Sequence, residues 1–253
     1  MPSKKRKTVA TVEARMRSTR LPRKTMALLA GQPVIFRVLE RIRQAKTIDD
    51  VVVATTVHPD DDVVASFCAG IGTRCHRGSE ENVLERVVHA ARIADADIVV
   101  QLGADCPLYD PSLIDELLTI YRSNNYDYVA NDMKLTYPEG IDAHVISMDA
   151  LEESLRFATD PRQLEDVPRY IWDHPEKFTI FNLEATPELH APHIRVTLDY
   201  PEDLLLLQAI YENLYPRNSR FTTRDVVHLL RERPDLGKLN AGCKQLSAAY
   251  LDN

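Results

Sequence analysis

Four cysteines in 253 residues, none in CxxC spacing, give neither a zinc-site pattern nor a disulfide framework. Cys68, Cys75, Cys106 and Cys243 read as free thiols, which fits a reducing cytoplasm. No apolar run approaches the roughly 20 residues that a membrane span needs. The charged N-terminus is not followed by the apolar stretch of a secretory signal. These absences predict a cytoplasmic protein with no membrane partner. Basic charge is also short: 31 Lys and Arg stand against 38 Asp and Glu, a formal net charge of −7, so a nucleic-acid partner is not expected. The run Lys4-Lys5-Arg6-Lys7 is the local exception and reads as a solvated N-terminus. Internal repeats and low-complexity linkers are missing too, so residues 1–253 read as one domain, with 216–253 a C-terminal extension.

The composition that remains, 44% apolar and 27% charged, is that of an ordinary globular protein with a sizeable core. The first half alternates strand and helix. Thr8–Ala14, Asp50–Thr55, Ala96–Leu102 and Asp127–Asn131 are short apolar or β-branched runs and predict strands. Between them Pro33–Ala45, Asp61–Ala69, Glu80–Ala94 and Pro111–Arg122 carry helical spacing, with Ser79 a candidate cap. Further along, Ala143–Ile146, Phe178–Leu183 and Ile194–Leu198 read as strands. Asp149–Phe157, Pro201–Leu214 and Thr223–Arg233 read as helices. Such alternation builds an α/β, mostly parallel sheet flanked by helices, with ligands beyond the carboxyl ends of the strands.

The segment Glu13-Ala14-Arg15-Met16-Arg17-Ser18-Thr19-Arg20-Leu21-Pro22-Arg23-Lys24 follows the first strand and concentrates basic side chains with two hydroxyls. Arg offers a planar fork and Lys a point charge, the donors a triphosphate needs. The residue types alone fit a solvated basic loop equally well. Their order resembles Gln-Ala-Arg-Met-Gly-Ser-Thr-Arg-Leu-Pro-Gly-Lys, the signature loop of the acylneuraminate and 3-deoxy-octulosonate cytidylyltransferase family in its spore-coat polysaccharide biosynthesis F-like branch. Glu13, Arg17 and Arg23 are the departures. The resemblance implies that Arg15 and Lys24 hold the nucleotide's phosphates, with Ala14 and Ser18 beside them.

Gly103-Ala104-Asp105-Cys106-Pro107-Leu108-Tyr109-Asp110-Pro111 is similar to the family's Gly-Asp-Cys-Pro-Leu-x-Asp-Pro, and residues 194–204 (IRVTLDYPEDL) to its Arg-x-Thr-x-Asp-x-Pro-Glu-Asp-Leu. Asp105 and Asp199 would then be the Mg²⁺ ligands. Mg²⁺ prefers one or two carboxylates, waters and substrate phosphates, and could polarise the α-phosphate there. Asp110 reads as a helix cap. Arg77, Gly78 and Ser79 match the family's nucleoside-pocket segment, and Gln101 is a candidate for the base or ribose. Tyr137, Asp142 and His144 fall on the acceptor segment, where His144 replaces an acid. At Asp166 the family has His. His190 and His193 read as no metal pair, and Trp172 as core.

The resemblance covers residues 8–215. It implies a Rossmann-like, glycosyltransferase-A-type nucleotidyltransferase fold, usually a homodimer, and transfer of CMP from CTP to a sugar acid with release of pyrophosphate. Two alternatives stay open: another nucleotide such as GTP with a sugar- or polyol-phosphate acceptor, and a non-catalytic nucleotide-binding subunit.

Overall fold

The computed structural model describes residues 5–244. Lys4 and the tail beyond Lys244 lie outside the described residues. In chain order the elements begin with β1 (Thr8–Glu13), a small hairpin of β2 (Leu28–Leu29) and β3 (Gln32–Pro33), α1 (Val34–Ile42), β4 (Asp50–Thr56) and α2 (Asp62–Gly70). They continue with β5 (Arg74–Gly78), α3 (Val83–Arg92), β6 (Ile98–Gly103), α4 (Pro111–Ser123), β7 (Tyr128–Ala130), β8 (His144–Ser147) and α5 (Met148–Phe157). Last come α6 (Pro161–Glu165), α7 (Arg169–Asp173), β9 (Ile180–Asn182), α8 (Pro201–Leu214), α9 (Thr223–Glu232) and α10 (Pro234–Gly237).

The seven-stranded sheet has the order β5-β4-β1-β6-β8-β7-β9. β1 pairs in parallel with β4 and β6, and β4 with β5. β8 runs against both its neighbours, which makes the sheet mixed. The strands with the longest apolar runs sit at its centre, where both faces must be covered. Side chains alternate accordingly. Ala10, Val12, Val51, Val53, Val100 and Leu102 pack on one face, toward α1, α4, α8 and α9. Val9, Val52, Ala54 and Val99 pack on the other, toward α3 and α5. No helix among the described residues is long and apolar enough to cross a membrane.

The expected elements are present with two corrections. The third helix starts at Val83, not Glu80, because Asn82 is its cap and accepts the Glu85 N–H at 2.9 Å. Ser79 instead accepts the Asn82 N–H at 3.0 Å, one turn earlier. Residues 194–198 are not a strand, since only Arg195 bridges, to Glu139. Their alternating Ile194, Val196 and Leu198 are buried, but the backbone is shared between two loops: Val196 N–H reaches Glu139 O at 2.8 Å and Leu198 N–H reaches Asp105 O at 2.8 Å. Gly140 allows this approach. It has φ +97°, and a Cβ there would stand 2.5 Å from Thr197 N.

Candidate active site

Three loops meet beyond the carboxyl ends of β1 and β6. Ala104 N–H donates to Glu13 O at 2.8 Å, which ties the loop after β6 to the end of β1, and the Leu198–Asp105 bond brings in the third. The basic loop is closed on itself by Arg23 N–H to Met16 O at 2.8 Å and by the Thr25 hydroxyl to Arg15 O at 2.9 Å. Lys24 therefore points inward. Its ammonium lies 2.8 Å from Asp105 Oδ2 and 2.7 Å from Asp199 Oδ1. Arg20 meets the same Asp199 oxygen at 2.8 Å. Behind them Arg195 joins three carboxylates: Glu139 at 2.5 Å, Asp199 Oδ2 at 2.8 Å and Asp203 at 3.2 Å. Burial works against the charge on Lys24, but Asp105 and Asp199 outweigh it and raise its pKa. Burial likewise works against the Asp105 carboxylate, and Lys24 outweighs it, so its pKa falls.

This donor set fits Mg²⁺. Among the described residues no three His, Cys, Asp or Glu side chains form a metal cage. Two aspartates already converge on one cation, the Lys24 ammonium. Two carboxylates with open positions suit an ion that keeps its waters and takes substrate phosphates.

A cavity of about 240 Å³ sits over this cluster, lined by Ala14, Arg15, Ser18, Lys24, Asp105 and Asp199 among others. Six expected residues thus come together. Arg77, Gly78 and Ser79 do not line it. The Arg77 guanidinium is spent on Thr56 O at 2.9 Å, His58 O at 3.0 Å and Asp62 at 2.6 Å, a brace across the end of β4. Gly78 packs against Arg86, and Ser79 is the turn acceptor already described. Arg86, 2% exposed, lines this cavity where Arg77, Gly78 and Ser79 do not. Glu13 lies beside it. Burial pushes the Glu13 carboxyl up to about 7, against the pull of Arg86, and Gln101 donates to it at 2.5 Å.

Gln101 also faces a second cavity of about 390 Å³, which shares Gly103, Asp105 and Glu165 with the first. Asp142 and His144 line it with Asp132, Asp166 and Trp172. Tyr137 does not: it is 3% exposed in the core, where burial lifts its hydroxyl to about 12. Trp172, expected in the core, is half-buried and lines the cavity. Asp110 caps α4, accepting Ser112 N–H at 2.9 Å. Sequence reasoning singled out neither Arg20 nor Arg195 as site residues, although both letters stand inside the matched motifs. A wider cleft of about 800 Å³ is lined by Arg17, Arg23, Pro59 and Val63 among others; it shares Arg15, Ser18 and Thr19 with the first cavity but does not reach Asp105 or Asp199.

A family model described as Cytidylyltransferase matches residues 9–213. The spore coat polysaccharide biosynthesis protein SpsF of Bacillus subtilis is 31% identical over 231 residues, covering 88% of this chain and 94% of that protein. The 3-deoxy-manno-octulosonate cytidylyltransferase of Geobacter sulfurreducens is 37% identical over 117 residues, 46% of this chain and 45% of that protein. Among solved structures, a cytidylyltransferase from Leptospira borgpetersenii superposes with a TM-score of 0.86 at 27% identity, covering 91% of this chain and 96% of that one.

Proposed function

The chain belongs to the cytidylyltransferase family and is a nucleotidyltransferase, and we propose that it transfers CMP from CTP to a sugar hydroxyl in a Mg²⁺-dependent reaction. The observation that carries this is the meeting of Lys24 with Asp105 and Asp199 under a loop that holds Arg15 and Ser18. Asp105 and Asp199 would hold the metal, which when bound polarises the α-phosphate and offsets charge on the leaving pyrophosphate. Lys24 then exchanges its carboxylates for phosphate oxygens, while Arg15 and Arg20 hold the remaining negative charge. The acceptor oxygen forms its bond to the α-phosphorus as the bond to the bridging oxygen breaks. Pyrophosphate leaves with that electron pair, and the hydroxyl proton passes to water. Little covalent work falls to the protein, and positioning with electrostatics supplies the catalysis.

The Geobacter relative suggests a sugar acid as acceptor, but it matches under half of the chain. The reading itself requires only a hydroxyl. A second reading, with another nucleotide, is favoured by one observation: Glu13 puts a carboxyl beside the nucleotide cavity where the motif has an amide. Calorimetry with each of the four NTPs and Mg²⁺, followed by pyrophosphate detection over an acceptor panel, tests both. Tightest binding of CTP, lost with EDTA, is expected; preference for GTP would favour the second. Binding of CTP–Mg²⁺ without turnover over a broad panel would instead favour a non-catalytic subunit. The expected homodimer is checked by light scattering.

A further inference from the structure

Transfer to a hydroxyl needs a group that draws off the hydroxyl proton. Resting on the proposed cytidylyl transfer, we infer that Asp142 is that proton acceptor, working through one water in the second cavity.

Five carboxyl side chains line this cavity, and three of them are already engaged. Asp105 lies 2.8 Å from Lys24, Asp132 lies 2.9 Å from His144, and Glu165 lies 4.0 Å from Arg15. Asp142 and Asp166 are left, and the backbone around Asp142 is fixed from several sides. The Asn131 side chain, 1% exposed, grips the peptides before and after it. Its amide donates to Ile141 O at 3.1 Å, and its oxygen accepts the Ala143 N–H at 2.8 Å. Gly140 N–H donates to Asp142 Oδ2 at 3.1 Å. Oδ1 is buried and has no hydrogen-bond partner among the described residues. One oxygen thus orients the carboxyl, and the other is left to take a proton. Asp105, the proposed metal ligand, lines the same cavity, so the reacting centre and the carboxyl share one space.

The groups facing Asp142 set its strength as a base. Asp132, from the loop after β7, opposes its charge, and the His144 imidazolium, from β8, favours it. Glu139 opposes it too, but is turned to Arg195 at 2.5 Å. Cys106 and Tyr109, from the loop after β6, keep their protons because burial pushes both groups up. Burial acts most strongly on Asp142 itself, and with Asp132 it lifts the carboxyl to about 8. A base works best when its pKa lies near the working pH, where it is both strong and partly ionised. Asp166, lifted by burial to about 6, is the weaker base. In the step, the hydroxyl oxygen bonds to the α-phosphorus and its proton passes to water. That water gives a proton to Asp142 Oδ1, while the electron pair of the breaking bond leaves with pyrophosphate. The carboxyl returns its proton to solvent before the next turnover.

The test is kcat between about pH 6 and 9.5, with saturating CTP, Mg²⁺ and the sugar that releases most pyrophosphate in the acceptor panel. In wild type kcat is expected to rise about tenfold per pH unit and to level off above about pH 8. Asp142→Asn keeps an oxygen for the Gly140 N–H. It is expected to lower kcat about 10²-fold, to flatten the rise, and to leave KM for CTP within about twofold. Asp142→Glu, which keeps a carboxyl, is expected to restore the rise at a reduced rate. A flat wild-type profile overturns the inference without any variant. So does an Asp142→Asn enzyme that keeps the wild-type rate, or one that slows but keeps the rise, as a merely structural role would give. CTP binding, followed by calorimetry in the same samples, separates the two levels. If CTP–Mg²⁺ does not bind, or no acceptor releases pyrophosphate, the cytidylyl reading fails and takes this inference with it. Turnover with a flat profile defeats only this inference.

Discussion

The two cavities share Asp105 but differ in how their charges are settled. In the first cavity, the proposed nucleotide site, four basic side chains, Arg15, Arg20, Lys24 and Arg86, face four acidic ones, Glu13, Asp105, Glu165 and Asp199. Most are within ion-pair distance of a partner, so the chain neutralises its own site until substrate exchanges in. The second cavity is lined by five carboxyls and two basic groups, but its Asp105 and Glu165 pair with Lys24 and Arg15 of the first and its Asp132 with His144, which leaves Asp142 and Asp166. The two carboxyls shift in opposite directions: Lys24 holds Asp105 below the usual carboxylate range against its burial, whereas burial, and then Asp132, drives Asp142 far above it. A balanced site is prepared for a highly charged ligand that brings its own cation. The second settles part of its charge by protonation, since burial holds Asp142 up at about 8.

The sharpest way to break this contrast is at the balanced site. Asp105→Asn and Asp199→Asn each remove a carboxylate from the proposed metal position. Turnover should fall by about 10²–10³-fold or more in either variant, the scale of losing one electrostatic contact to the transition state. Steady-state kinetics at saturating Mg²⁺ checks it, and rates within about fivefold of wild type would remove both aspartates from the metal site.

Lys24→Met tests whether the ammonium is the built-in counter-ion. Asp105 and Asp199 would then face each other with the cation gone. Leaving a buried charge uncompensated costs about 3 kcal/mol, softened here because Arg20 and Arg195 still hold Asp199. The melting temperature of this variant should fall, and Mg²⁺ should restore part of the loss. Wild-type stability should respond less to Mg²⁺ or EDTA. Equal responses in the two proteins would mean that lysine and metal do not compete for one place.

At the second cavity the corresponding lever is pH. Burial works against charge on His144, but Asp132 outweighs it and lifts the imidazole to about 9 from 6.5. A group whose folded pKa is raised stabilises fully below its unfolded value and ceases to as pH passes the folded one. Wild type should therefore lose up to about 3 kcal/mol between pH 6.5 and 9. The raised Asp142 carboxyl, at about 8, acts in the same direction from pH 4 upward. In His144→Gln the slope between pH 6.5 and 9 should flatten, as measured by denaturant unfolding at a series of pH values. An unchanged slope would place the titration elsewhere.

How much of this was legible in the sequence follows the same division. β1, β4 and β6 fall within two residues of expectation because apolar runs buried on both faces leave few alternatives. α8 begins and ends as expected, since Tyr200-Pro201-Glu202-Asp203 is a complete start signal whose Asp203 accepts the Asp199 and Tyr200 N–H groups. Residues 194–198 misled because alternation records which side chains are buried, not which backbone partners they find. Tyr137 misled for the opposite reason: its segment passes near the acceptor cavity, but its own side chain turns into the core. The Arg195–Glu139 pair spans 56 residues and has no local signature at all. The small helices α6 and α7 went unnoticed because five residues are too few to show a period. They supply Glu165 and Trp172 to the wall of the second cavity, so the part built from them was the least readable.

The smallest effect concerns the departures in the basic loop, where the motif's glycines became Arg17 and Arg23. Only Arg23 occupies the left-handed region, with φ 64° and ψ 16°. The turn that aims Lys24 thus keeps the backbone shape a glycine would favour and forces a side chain to adopt it. That strain is worth about 1–2 kcal/mol for a residue with a Cβ, and the greater freedom of glycine in the unfolded chain offsets about 0.5–1 kcal/mol of any gain. Arg23→Gly should therefore stabilise the protein by about 0.5–1 kcal/mol, whereas Arg17→Gly, at ordinary φ, should destabilise it slightly. Denaturant midpoints of the two variants decide this. Arg23 lines the wider cleft and not the first cavity, so KM for CTP should stay within about twofold in Arg23→Gly. A larger rise would make the strained arginine a phosphate contact retained at the expense of stability.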